Sequence, residues 1–160
     1  MYKATVRALV RRGLRELNAG RPDFLLRRAA PDAELAFPGE SSWSTMFRPV
    51  VKGRRRHPTH RGVDECRAFA ERFVAEGIQL DVEDILVNGP PWRTRVALRV
   101  VAYVPGPNGD GDGDEYANRA VAYLDLRWGR LVTWEDYEDT ERVAVWDSAR
   151  AAVPSASASC

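Results

Sequence analysis

The chain has few of the residues that would tie it to a covalent or metal-built architecture. Cysteine occurs only twice in 160 residues, as Cys66 and Cys160, which rules out a disulfide framework. Cys66 falls on the apolar stripe of an expected helix and Cys160 ends a run of small residues, so the reading is a buried free thiol and a frayed end. A cytoplasmic location follows from that reading. Histidine is equally scarce. His57 and His60 lie close to Cys66, but no further ligands of the right type sit nearby, so no metal site is expected. No apolar run approaches the roughly 18 residues that a membrane span needs. The first residues alternate charged and apolar side chains too regularly for a secretory leader. Charge of one sign is missing too: 24 basic against 23 acidic residues leave a net charge of +1. Neither a nucleic acid nor a membrane is expected as a partner.

What is present is enough for one sizeable core, with 44% apolar and 29% charged residues. One domain is expected over residues 1–150, followed by a small polar, disordered tail at 151–160. Val6, Leu9, Val10, Gly13, Leu14 and Leu17 recur at helical spacing, and Asn18-Ala19-Gly20 ends that helix. A short second helix holds Phe24, Leu25 and Leu26 and stops at Pro31-Asp32. Ala33 to Phe37 is read as a strand closed by Pro38-Gly39. Residues 41–61 carry Trp43, Met46 and Phe47 and then a basic run, Lys52 to Arg61, which reads as a packed, solvated flap rather than a nucleic-acid strip.

A third helix is expected from Val63 to Gly77, buried through Cys66, Phe69, Phe73 and Val74. Four strands follow as a meander. The first, Ile78 to Val87, switches its alternation at Glu83-Asp84, which predicts a bulge. The second is Trp92 to Val104. The last two span Tyr116 to Asp139 around a tight turn at Trp128-Gly129-Arg130. The Asp-Gly repeat at 110–114 begins like a calcium loop but has Glu115 and Val121 where such a loop needs glycine and glutamate, so it is a hairpin tip. No cofactor is expected. Residues 140–150 are expected to add a helical turn around Val143 and Trp146. The fold class is α+β: a curled antiparallel sheet packed against three N-terminal helices, with an apolar pocket between sheet and helices.

Leu17-Asn18-Ala19-Gly20, Phe37-Pro38-Gly39, Arg61-Gly62 and above all the ending Gly129-Arg130-Leu131-Val132-Thr133-Trp134-Glu135-Asp136-Tyr137-Glu138-Asp139 resemble the SnoaL-like branch of the nuclear transport factor two-like superfamily. That branch and its neighbours include limonene epoxide hydrolase, polyketide cyclases and ketosteroid isomerase. The resemblance spans roughly residues 4–145 and implies a cone-shaped, cystatin-like roll and a homodimer formed through the outer sheet face, with a small apolar metabolite as the bound partner. Fold alone does not carry function here, so each residue must be weighed.

Asp136 shares a strand face with Val132, Trp134 and Glu138. Desolvated beside Trp134, its carboxyl would suit acid/base work, the role the resemblance also implies; a solvated, ion-paired carboxylate is the alternative. Arg95 matches the arginine of the hydrolase relay, although Ala97 stands where its second acid belongs. Strand alternation by itself points Arg95 outward, since Thr94, Val96 and Leu98 form the more apolar face. Against ketosteroid isomerase chemistry, Phe37, Gly13 and Ala122 replace the base, the tyrosine and the oxyanion-hole acid. Trp134, Asn118, Tyr116, Trp92, Trp43, Phe37, Ala122 and Leu124 are expected to line the pocket. The functional expectation is binding of a small apolar metabolite, with isomerase, cyclase or hydratase-type chemistry at Asp136. The alternative is a non-catalytic ligand-binding or dimeric interaction domain.

Overall fold

The computed structural model describes residues 1–51, 53, 56–106 and 116–152. Within it, α1 (Tyr2–Asn18) lies over the sheet through Val6, Leu14 and Leu17, all buried. Its end is pinned to the sheet by Asn18, whose amide donates to Leu80 O at 2.9 Å and accepts from Leu80 N at 3.0 Å. That two-way pairing gives the Asn of the Leu-Asn-Ala-Gly segment a structural reason. The following helix, α2 (Asp23–Leu26), folds back against α1 at Gly13. A Cβ there would come within 2.3 Å of Leu25 Cδ2, so only glycine lets the two helices approach.

The strands are β1 (Ala29–Ala36), β2 (His60–Arg61), β3 (Gln79–Asn88), β4 (Thr94–Val104), β5 (Tyr116–Arg127) and β6 (Arg130–Glu138). They form one open, curled sheet in the order β2-β1-β6-β5-β4-β3. β1 runs parallel to β6, the one departure from the antiparallel sheet expected. It also starts at Ala29, upstream of the expected Ala33. Pro31 and Asp32 do not end the preceding helix; they sit exposed in a register shift between Ala29 and Glu34, where a proline without an N–H can be accommodated. The expected bulge in β3 is present, between Val82 and Asp84. At the β5–β6 turn Arg127 pairs with Arg130 across Trp128 and Gly129, both with positive φ (52° and 75°). Two-residue hairpins need that handedness, though tryptophan is an unusual residue to supply it.

α3 (Gly62–Ala75) buries Cys66 against β1 and Phe73 in a separate cluster with Leu17, Trp43 and Ile78. The segment between β1 and β2 packs down as expected of a flap. Trp43 and Ser44 are buried, Arg48 forks onto Glu65 at 2.7 and 2.8 Å, and Thr59 N donates to Leu35 O at 2.8 Å. Lys52, Arg54 and Arg55 of the basic run, the Asp-Gly tip and residues 153–160 of the expected tail lie outside the described residues. The C-terminal segment is more than a helical turn: α4 (Thr140–Ala151) is a full helix, capped by Asp139, which accepts from Glu141 N at 3.1 Å and Arg142 N at 3.3 Å. Among the described residues there are therefore four helices rather than three, and the fourth packs on β5 through Trp146 and Tyr116.

Candidate acid-bearing cavity

The side chains of β6 that alternate inward are Trp134, Asp136 and Glu138, and all three line one cavity of about 150 Å³. A register shift between β5 residues Asp125 and Leu126 hands the next inward place to Leu131 instead of Val132. Across β5, Ala122 stands opposite Asp136 and Ala120 opposite Glu138. Ala120 also lines the cavity, and its small side chain leaves space beside Glu138. The other walls come from α1, α2, α3, the flap and α4: Leu17, Leu25, Phe69, Phe73, Trp43 and Trp146 among them.

The aromatic wall is continuous. Phe37 stacks on Phe69 at 4.6 Å, Phe69 meets Trp43 edge-on at 5.5 Å, Trp43 lies parallel to Trp146 at 6.4 Å, and Trp146 stacks on Tyr116 at 4.7 Å. Such contacts hold rings in fixed orientations at a cost in entropy that area burial offsets. Behind the wall, Arg72 lies over Trp43 and Arg150 over Trp146.

In this setting the two carboxyls are poor places for charge. Burial pushes Asp136 up to about 7, opposed only by the Trp134 indole, whose Nε1–H donates to Oδ1 at 2.9 Å. Glu138 is raised to about 8, by burial first and then by the charges of Asp136 and Asp139. Burial also raises Tyr116 to about 12 and the Cys66 thiol, another lining group, to about 11, so neither ionises readily.

Of the residues expected at the site, Asp136, Trp134, Tyr116, Trp43 and Phe37 are brought together around this cavity. Ala122 and Leu124 are instead packed in the core behind it, at 0% and 4% exposure. Asn118 is buried as well, and its amide donates to Asp139 O at 3.0 Å; it holds the start of α4 rather than facing a ligand. Trp92 is corrected outright. It is 57% exposed in the β3–β4 turn, tilted against Trp128 at 6.0 Å, because β4 begins only at Thr94.

Arg95 is corrected too. Alternation sends Thr94, Val96 and Leu98 into the core and Arg95 to the outer face, where it is half exposed and 3.7 Å from Asp125. It does not reach Asp136, and the hydrolase relay has no counterpart there. His60 is spent on packing: it is fully buried, its Nδ1 lies 2.9 Å from Thr59 Oγ1, and Phe37, Phe47 and Phe69 present edges to it. Sequence reasoning missed Glu138 and Trp146 as site residues. Glu138 was legible as the next inward position after Asp136; Trp146 was not, because nothing local shows that α4 folds back over the sheet.

Comparison with known proteins agrees with this architecture. A protein of the nuclear transport factor two-like class and unknown function, from Burkholderia pseudomallei, superposes with a TM-score of 0.66 at 20% identity over 89% of this chain and 97% of its own. A provisionally named ketosteroid isomerase from Kribbella flavida gives 0.56 at 19% identity, over 84% and 77%. A provisionally named polyketide cyclase from Xanthomonas campestris gives 0.53 at 16% identity, over 88% and 95%. At such identities they speak for the fold alone. No curated protein matches the chain. The family model of the SnoaL-like domain matches residues 10–134, most of the chain, and this protein belongs to the SnoaL-like domain family.

Proposed function

We infer that this SnoaL-like domain binds a small apolar molecule in the cavity between sheet and helices and transforms it by acid/base chemistry at Asp136, of an isomerase, cyclase or hydratase type. One observation carries the reading: Asp136 opens into an apolar cavity with no arginine or lysine lining it among the described residues, and burial holds its pKa at about 7. A carboxyl poised near neutrality can both give and take a proton at the working pH, which is the condition for general acid/base catalysis. A structural carboxylate would instead be ion-paired and strongly acidic. Trp43, Trp134, Tyr116 and Phe37 serve as walls that exclude water and orient the ligand.

The test is a turnover screen over small apolar metabolites with wild type and Asp136→Asn. The reading expects turnover that disappears in the variant while the melting temperature holds or rises. Turnover that survives in Asp136→Asn overturns the acid/base role. A ligand that binds and is never turned over by either protein leaves the second reading, a non-catalytic binding domain, which the absence of a partner acid at Ala97 favours.

The homodimer is part of the same proposal. The outer sheet face leaves Leu86, Val121 and Tyr137 exposed at 61%, 42% and 60%. These are large apolar groups for a free surface, and a second copy would cover them. Light scattering is expected to give twice the chain mass, and Val121→Glu to halve it.

A further inference from the structure

The cavity lining is unbalanced in a way that folding does not require. Asp136 and Glu138 project from one strand face, about 7 Å apart by the rise of a strand, into the same cavity. Among the described residues the indole of Trp134 is the only side-chain hydrogen-bond partner of either carboxyl. No lysine, arginine or histidine lines the cavity among those residues. The guanidiniums that lie over Trp43 and Trp146 are engaged outside. Arg72 is 3.5 Å from Asp147, Arg150 is 2.6 Å from Glu76, and each covers the back of a tryptophan.

Two acids side by side in an apolar enclosure without a cation raise the free energy of the empty protein. An anion would meet two acids and no compensating donor charge, so carboxylate and phosphate ligands are disfavoured. Size narrows the class further. The cavity of about 150 Å³ matches the volume that holds a single benzene ring in an engineered apolar cavity, and so admits one ring with a short arm.

On this basis we propose that the cavity takes a one-ring apolar amine as its ammonium ion, the nitrogen held by Asp136 and Glu138 and the ring laid against Trp43, Tyr116 and Trp146. The proposal rests on the reading that this cavity is the ligand site, and it adds the charge and size of the ligand. Neither carboxyl need be catalytic for it to hold.

The test uses three probes of one shape: phenethylamine, phenethyl alcohol and hydrocinnamate. Binding to the full chain is measured by calorimetry near neutral pH, and the indole N–H resonance of Trp134 reports whether the cavity is occupied. The amine is expected to bind roughly tenfold or more tightly than the alcohol, to shift the Trp134 resonance, and to leave hydrocinnamate without detectable binding. Asp136→Asn and Glu138→Gln are each expected to erase most of the preference for amine over alcohol, the ratio of the two affinities within one variant being the readout. Both replacements relieve a buried acid, so both should fold, and circular dichroism checks that they do. If the alcohol binds as well as the amine and shifts Trp134, the amine proposal fails and the apolar-ligand reading survives. If no probe shifts Trp134, both fail. Amine binding that neither variant weakens also overturns the proposal.

Discussion

Trp134 and Asp136 are joined side chain to side chain along one strand face, the indole Nε1–H of the first donating to Oδ1 of the second at 2.9 Å. That bond steadies the ionised form of Asp136 against the burial that disfavours it. Trp134→Phe keeps the ring and removes the donor. The Asp136 pKa is then expected to rise above about 7, by on the order of one unit. A carbon-detected NMR titration of the carboxyl measures it, and an unmoved midpoint would show that the indole does not hold the acid.

Stability should depend on pH in two opposed limbs. His60 has its folded pKa lowered to about 4 from the ordinary 6.5, by burial first and with Arg48 and Arg72 adding to it against the pull of Glu65. Its unfolded form takes the proton first, so its contribution is whole above 6.5 and is lost as pH falls toward 4. Asp136 and Glu138 run the other way. Their folded values of about 7 and 8 lie above the ordinary 3.8 and 4.5, so the unfolded chain ionises first and stability falls as pH rises through that window. The His60 limb is worth on the order of 3 kcal/mol and each carboxyl on the order of 4 kcal/mol. Urea midpoints across the range check this: His60→Leu should flatten the acid limb and Asp136→Asn the alkaline one. A wild-type midpoint unchanged from pH 6.5 to 8, where the His60 limb is already complete, would contradict the carboxyl limb, and an acid limb that His60→Leu leaves unaltered would contradict the other.

Trp146 ties α4 to the rest of the cavity wall through Tyr116 and Trp43. Trp146→Ala should cost about 3–5 kcal/mol, the transfer term plus the void left behind. Chemical denaturation gives the value, and a loss below about 1 kcal/mol would mean that α4 is only loosely laid on the sheet.

Asp139 and Asn118 together set where α4 begins, one capping its N–H groups and the other donating to the Asp139 carbonyl. Asp139→Ala is expected to cost about 1 kcal/mol. Asn118→Ala should cost about 1 kcal/mol, since the partly buried Asp139 carbonyl loses its donor. Faster amide exchange through residues 140–143 in both variants would locate the effect at the cap; exchange unchanged there would place it elsewhere.

The strand meander, the β3 bulge and the inward direction of Asp136 were readable from the chain because alternation is a local property: a strand residue shows its side by its neighbours two places away. The same rule turned Arg95 outward, and the structure sides with alternation over the family pattern. Other expectations failed where local pattern has nothing to say. Pro31 reads as a helix stop, yet the chain makes it a bulge because β6, a hundred residues on, offers a parallel edge to Ala29 and Leu35. Trp92 reads as a strand residue and a wall, but the turn ends only after it.

By itself, then, the sequence determined which faces are apolar and that an acid at position 136 lies on one of them. The tertiary structure alone decided what that acid experiences. Desolvation sums over everything packed around a group, and around Asp136 and Glu138 that includes Leu25, Phe73, Trp43 and Trp146, brought from four separate segments. A solvated edge carboxylate and a buried acid with a pKa near neutrality share one local sequence; the closing of α2, α3, α4 and the flap over β6 makes this one the latter.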